Sequence, residues 1–314
     1  MTSGGDAPGM NAAIRAVVRR AIHHGSEVVG VRRGYLGLIE GEFEPLPATA
    51  VSGIINRGGT ILLTARCPEF KTEEGQGDAV AQLRQHQIDG VIVVGGDGSL
   101  HGAHELWQKW QVPTVGIPGS IDNDLAGTDF SIGFDTAVNT ALDAIDKIRD
   151  TAVSHDRIFV VEVMGRDVGF IALEVGLAGG AEAILVPEIP FETTRIGSTI
   201  KRGRRRGKTS YIIVVAEGAA RGIAVAADIE AITGAETRAT VLGHLQRGGA
   251  PTAADRVLAT RLGAAAVDAM VEGRFGVMVG MQANQVVVFP LETIWTQRKT
   301  IDTSVYELAH VLAA

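Results

Sequence analysis

Four short runs of β-branched apolar residues punctuate the chain, and each stops abruptly at glycines or charged side chains. Val91-Ile92-Val93-Val94 runs into Gly95-Gly96-Asp97-Gly98-Ser99, and Val115-Gly116-Ile117 into Pro118-Gly119-Ser120-Ile121-Asp122-Asn123-Asp124. Ile158-Phe159-Val160-Val161 runs into Glu162-Val163-Met164-Gly165-Arg166, and Ile212-Ile213-Val214-Val215 reaches Glu217-Gly218. Such runs read as strands, as does the shorter stretch Glu27–Val31. Elsewhere the apolar period lengthens to that of a helix. Ile14, Val17, Val18, Ala21 and Ile22 predict a helix over Asp6–His24, capped by Asp6, with Pro8 in its first turn and Gly25 at its end. Val138, Ala141, Leu142, Ile145 and Ile148 predict a second over Asp135–Ala152, and an alanine-rich third covers Asp255–Val271. Strands alternating with helices give an α/β class with parallel sheets. The junctions fall into two groups, 91–124 and 158–218, which predicts two similar lobes meeting near Phe134-Asp135. The segment His244–Pro290 is expected to cross back to the first lobe.

In a parallel sheet, ligands bind at the carboxyl ends of the strands, where the next residues leave the ladder and face a crevice. These junctions therefore gather glycines, carboxylates and an arginine in one mouth, the layout of an enzyme that handles a phosphorylated substrate. Composition sharpens this reading. Glycine reaches 40 of 314 residues, where average usage gives roughly 22. Many follow apolar runs, so they mark tight turns and close backbone approaches. Hydrophobic residues at 46% and charged residues at 21% fit a globular chain with a sizeable core. The single Cys67 excludes an internal disulfide and fits a reducing compartment. No apolar run is long enough to span a membrane and no signal-like start is present, so a cytoplasmic protein is expected. Net charge is −7, yet Arg15, Arg19 and Arg20 cluster, and Lys201–Lys208 is a basic run. Local basic spots on an acidic chain suit small anions, whereas nucleic acid needs a broad basic stripe. The run also reads simply as a solvated helix face.

Gly95–Ser99 precedes a helix-like stretch, Leu100–Trp110, and backbone N–H groups at a helix start favour phosphate oxygens. Asp97 can hold Mg²⁺, which prefers oxygen ligands. A glycine turn between strand and helix is common, so this motif is weak alone. GxxxxGK[ST] is absent, and GxGxxG fails here too. Asp122-Asn123-Asp124 offers one acid to take a hydroxyl proton and another for metal or positioning, although Asp-Asn-Asp is equally a good turn sequence. Thr237-Arg238 and His244–Gly249 bring two arginines and a histidine within ten positions, and arginine forks grip phosphate bidentately.

Together these stretches resemble the ATP-dependent 6-phosphofructokinase family. Thr2–Asn11, Gly95–Ser99, Pro118–Asp124, Met164-Gly165-Arg166 and Gly243–Gly249 look like its signatures, in the family's order and across nearly the whole chain. The resemblance implies two Rossmann-like three-layer lobes with the active site in the cleft between them. An ATP-binding lobe would comprise residues 1–133 and about 245–295; a fructose 6-phosphate and effector lobe would comprise 134–244 and about 296–314. It implies transfer of the ATP γ-phosphoryl group to the 1-hydroxyl of fructose 6-phosphate. Asp122 would be the base, Asp97 would hold Mg²⁺, Asp124 would assist, and Arg166 would stabilise charge on the moving phosphoryl. Gly5, Arg66, Cys67, Gly96, Gly98 and Ser99 would line the ATP site. Ser120, Ile121, Met164, Gly165 and Glu217 would position the sugar. Arg157, Arg238, His244 and Arg247 would clamp its 6-phosphate, Arg157 and Arg238 coming from a neighbouring subunit of a homotetramer. No nucleic acid or membrane partner is implied.

Pyrophosphate-dependent relatives carry aspartate where this chain has Gly98 and lysine where it has Gly119, so the two glycines favour ATP as donor. In the family's effector site, where ADP activates and phosphoenolpyruvate inhibits, Arg15, Arg19, Arg149, Gly180, Glu182, Arg206 and Lys208 match. Ala48, Gly53 and Ser210 depart from it, and weakened effector control is expected. The family also has an apolar strand before Thr2-Ser3-Gly4-Gly5, where only Met1 stands here. The chain is then either truncated or short of a strand that is usually central. Two other functions remain open at this point: a pyrophosphate-dependent enzyme, and a catalytically silent subunit that binds a sugar phosphate or nucleotide.

Overall fold

β-Branched side chains lose little by extending and pack well on a pleated surface, and the four apolar runs all become strands. The computed structural model describes residues 1–155 and 157–313, apart from the side chains of 153–155. Its strands are β1 Thr2–Ser3, β2 Val29–Val31, β3 Phe43–Pro45, β4 Val91–Gly95, β5 Thr114–Pro118, β6 Ile158–Val163, β7 Ala183–Leu185, β8 Tyr211–Ala216, β9 Thr237–Val241, β10 Val277–Gln282 and β11 Gln285–Pro290. The chain divides into two units: Met1–Thr136 with Arg247–Lys299, and Ala137–Gln246 with Thr300–Ala314.

The first unit is built on a sheet of order β1-β4-β5-β10-β11, parallel except for the β10–β11 hairpin. Its central strands β4 and β5 are largely buried on both faces, whereas the edge strand β11 is only partly buried, and successive side chains point to opposite sides. Val91 and Val93 join Leu100, Ala103 and Leu106 of the helix Asp97–Trp110 in one core cluster. On the other face Val94 lies near Met10, which opens the helix Met10–His23. Helices thus cover both sides, giving three layers. The second unit carries a fully parallel sheet of order β7-β8-β6-β9. Ile158, Val160, Ile213 and Val215 pack with Ile200, Val225 and Ile229 on one face. On the other, Ile184 packs against Gly176 of the helix Phe170–Ala178.

Several boundaries differ from the sequence pattern, each for a local reason. The first helix begins at Met10, not near Asp6; its N-cap is Gly9 at φ 108°, a left-handed conformation that breaks the helix before that point. Its buried stripe runs through Ala13, Ile14, Ala16 and Val18, while Ile22 is exposed. Alanines face inward because the helix Ala253–Val271 approaches closely at Gly263, where a Cβ would lie 2.8 Å from the Ala13 carbonyl oxygen. That second helix starts after the Thr252 cap, two residues before Asp255. The stretch Glu27–Val31 yields only β2, which pairs antiparallel with β3 in a small separate sheet. Helix Phe134–His155 extends beyond the predicted span at both ends. Before the first glycine loop stands the two-residue β1, at the end of the sheet order, with Thr2 opposite Val94 and Ser3 opposite Gly95.

Candidate functional site

β4 and β5 run parallel as neighbours, so their carboxyl ends deliver Gly95–Ser99 and Gly119–Asp124 to the same edge of the sheet. There the first unit opens a cavity of about 790 Å³. Asp97, Asp122 and Asp124 all line it, together with Gly96, Gly98 and Ser99 at the start of the helix Asp97–Trp110. Gly5, Arg66, Cys67, Ser120 and Arg247 complete the set of expected residues on its wall. Ile121 is not among them: its side chain is fully buried, so only its backbone is available. Gly95 is needed where it stands, because a Cβ there would lie 2.6 Å from the Ser3 carbonyl oxygen and 2.7 Å from the Ser99 Cβ. Gly98 has open space where its Cβ would be, whereas one at Gly119 would press on Met10 and Val94.

The loop after β5 directs its acids outward by turning one residue inward. Asn123 has φ 55° and is buried; its Nδ2 donates to the Asp129 carbonyl (3.2 Å) and its Oδ1 accepts from the Ser131 N–H (2.9 Å). Its neighbours Asp122 and Asp124 face the cavity. Ser120 Oγ donates to Asp124 Oδ1 at 3.3 Å. Burial pushes the Asp124 carboxyl up, and the negative charge of Asp97 pushes it the same way against the Ser120 hydrogen bond. Carboxylates in this position invite a cation. Among the described residues no three His, Cys, Asp or Glu side chains form a closed metal cluster. Mg²⁺, however, is commonly held by one or two carboxylates while phosphates and water supply the rest. The donor set around Asp97, which is half exposed, fits that pattern.

In the second unit the parallel register gathers another group. The Glu217 N–H donates to the Val163 carbonyl (2.9 Å), and that of Gly218 to Gly165 (3.1 Å). Gly218 leaves no room for a side chain beside the Arg166 carbonyl. The Leu242 N–H donates to Glu162 (3.0 Å), and the Met164 N–H to Gln246 Oε1 (2.7 Å). Met164, Gly165, Arg166, Glu217 and the His244 segment thus converge at the carboxyl ends of β8, β6 and β9. Arg166 and His244 are exposed, while the Met164 side chain is buried. Arg157 and Arg238 lie elsewhere. Arg157 precedes β6 and Arg238 pairs with Phe159, so both stand at the amino end of the same sheet, each ion-paired with Glu236. Six residues of β6 separate Arg157 from Met164, roughly 20 Å at the usual strand rise, and Arg238, level with Phe159, stands about 16 Å from it.

A family model described as Phosphofructokinase matches residues 1–270. The chain belongs to the phosphofructokinase family. It is 58% identical over 314 residues to ATP-dependent 6-phosphofructokinase 1 of Thermus thermophilus, covering 99% of this chain and 98% of that one. It is 55% identical over 313 residues to the ATP-dependent 6-phosphofructokinase of Thermotoga petrophila, covering 100% of this chain and 98% of the relative. A crystal structure of Pichia pastoris phosphofructokinase in the T-state superposes with a TM-score of 0.90 at 38% identity, over 99% of this chain and 36% of that chain.

The residues expected at an effector site of this phosphofructokinase-family chain are divided between the units. Arg15 and Arg19 lie on the helix Met10–His23, in the first. Arg149, Gly180, Glu182, Arg206 and Lys208 belong to the second. There Arg149 donates to the carbonyls of Gly179 and Gly180, and Lys208 pairs with Glu182 at 3.1 Å. The basic run is the exposed last turn of the helix Thr193–Arg205 and the residues after it, where positive charge suits the helix dipole. Gly53 has φ 69°, so an aspartate there would be strained. Tyr35 and His101 are among the cavity residues that escaped the sequence reading. Tyr35 donates its hydroxyl to the Ser99 carbonyl at 2.6 Å, and His101 stacks on Trp295 with ring centroids 3.9 Å apart. Gly102 was the signal for Tyr35: glycine inside a helix costs about 1 kcal/mol against alanine, and here a Cβ would meet the Tyr35 ring at 2.6 Å.

Proposed function

We propose that this chain is an ATP-dependent 6-phosphofructokinase of the cytoplasm, transferring the ATP γ-phosphoryl group to the 1-hydroxyl of fructose 6-phosphate. The observation that carries the reading is the convergence of Asp97, Asp122 and Asp124 with a glycine-opened helix start in one cavity, on a chain of this family. ATP lies along Gly5, Arg66, Cys67, Gly96, Gly98 and Ser99, its phosphates toward the helix start, where backbone N–H groups and the dipole favour negative charge. Asp122 accepts the proton of the sugar 1-hydroxyl as that oxygen attacks the γ-phosphorus and ADP leaves. Arg166 offsets charge on the transferring group, a place where a fixed cation contributes most. Asp97 would hold Mg²⁺, with Asp124 assisting beside the reacting groups; magnesium would supply Lewis-acid stabilisation of phosphate charge.

On the sugar side, Ser120, Met164, Gly165 and Glu217 orient the hexose, and His244 and Arg247 grip its 6-phosphate. Arg157, just before β6, and Arg238, near the start of β9, lie toward the opposite end of the sheet from Met164, which supports their action on a second copy in a homotetramer. The effector residues would take ADP or phosphoenolpyruvate, with response weakened by Ala48, Gly53 and Ser210. The test is a coupled assay with ATP, Mg²⁺ and fructose 6-phosphate, comparing wild type with Asp122→Ser. Removing the base lowers turnover on the order of 10²-fold or more. Inactive wild type, or an unimpaired variant, would refute the assignment.

A further inference from the structure

The loop that presents Asp122 and Asp124 is tied down from outside itself by a residue far along the chain. The Lys299 ammonium donates to Asn123 Oδ1 (2.9 Å), to the Thr128 carbonyl (2.9 Å) and to the Asp129 carbonyl (2.8 Å). An ammonium has three N–H donors and no acceptor, and here three acceptors on one loop receive them. One of these is the side chain of Asn123, the inward-turned hub between the two acids. Asp129 and Asp124 both act on Lys299, and each favours the protonated lysine. Lys299 in turn lowers the Asp124 carboxyl, opposing the upward push of burial and Asp97.

We propose that Lys299 is a positioning residue for phosphoryl transfer: its ammonium fixes the 123–129 turn and so holds Asp122 and Asp124 in reacting alignment at the cavity. This rests on the reading of Asp122 as base. A cation is a costly way to make a merely structural tie, since half-burial already brings this lysine down to about 8. Above that pH the neutral amine has two N–H donors for three acceptors and no charge to offer Asp124. Alignment errors of an ångström can cost about 10²-fold in rate, so loss of the clamp acts on turnover more than on nucleotide binding.

The experiment compares wild type, Lys299→Met, Lys299→Ala and Lys299→Arg in the assay above, with ATP affinity measured separately and folding followed by thermal melting. The expected result is a kcat lowered between about 10- and 100-fold in the Met and Ala variants, with ATP affinity nearly unchanged. Added propylammonium restores part of the turnover of Lys299→Ala. Wild-type kcat/KM for fructose 6-phosphate, which reports free-enzyme ionisations, falls above about pH 8, and Lys299→Arg, charged throughout, lacks that fall. Unaltered kcat in folded Lys299→Met overturns the proposal. Should neither neutral variant fold, a wild-type profile flat through this range, or a limb kept in Lys299→Arg, overturns it as well. Wild type that fails to phosphorylate fructose 6-phosphate with ATP refutes the functional reading instead, before any variant is compared.

Discussion

Replacing Gly98 by aspartate adds one negative charge to the cavity while leaving the scaffold nearly untouched. Gly98 is the second residue of its helix, has no positive φ, and has nothing within 4 Å of where a Cβ would stand. Glycine is the poorest ordinary helix former and acids are favoured in a first turn, so Gly98→Asp should change stability by less than about 1 kcal/mol. The nucleotide meets a different situation. A carboxylate about 5 Å from a phosphate charge, at an effective dielectric of about 20, is repelled by about 3 kcal/mol. That corresponds to on the order of 100-fold in kcat/KM for ATP. The assay is steady-state phosphorylation of fructose 6-phosphate at saturating sugar with ATP varied, alongside a denaturant melt. A folded Gly98→Asp protein with unchanged kcat/KM for ATP would refute the placement of the phosphates at this helix start. Gly119 offers no such clean comparison, since a Cβ there meets Met10 and Val94, so a change would confound packing with chemistry.

Three further outcomes follow from the same geometry. Asp97→Asn should raise the Mg²⁺ concentration needed for half-maximal rate by about tenfold or more, read by titrating magnesium after chelation; an unchanged requirement would remove Asp97 as a ligand. Asp255, buried to 1% exposure, accepts from the Gly133 and Thr136 N–H groups at 2.8 Å each and from the Thr136 hydroxyl. Asp255→Ala leaves those donors buried and should cost roughly 3–5 kcal/mol in urea unfolding, and a loss below about 1 kcal/mol would contradict the network described. Arg157→Ala/Arg238→Ala protein and His244→Ala protein should each bind fructose 6-phosphate poorly, yet regain activity when co-expressed; no recovery would argue against a shared clamp.

Much of the fold was legible because it rests on local pattern. The runs at 91–94, 115–117, 158–161 and 212–215 became β4, β5, β6 and β8, since long β-branched stretches have few alternatives to a buried strand. The mouth at Gly95–Ser99 and Gly119–Asp124 was legible for the same reason: adjacent parallel strands must end side by side. Less visible were features decided by distant partners. Ile22 looked like core and is exposed, while Ala13 and Ala16 hold the close helix contact that only Gly263, some 250 residues away, makes possible. Asp6 looked like a cap, but the φ of Gly9 breaks the helix after it. Asn123 and Lys299 lie 176 residues apart and carry no common motif, so their meeting could not be read from either segment.

The length of β6 has a consequence for how the protein must behave as an ensemble. The whole of β6 lies between Arg157 and Met164, and Arg238 stands opposite Phe159, so the guanidinium pair sits toward the other end of the sheet from the imidazole. Under the shared-clamp reading, affinity for the sugar then obeys mass action in the protein itself. Dilution would loosen the hold on fructose 6-phosphate more than the hold on ATP, whose expected contacts belong to the cavity of the first unit.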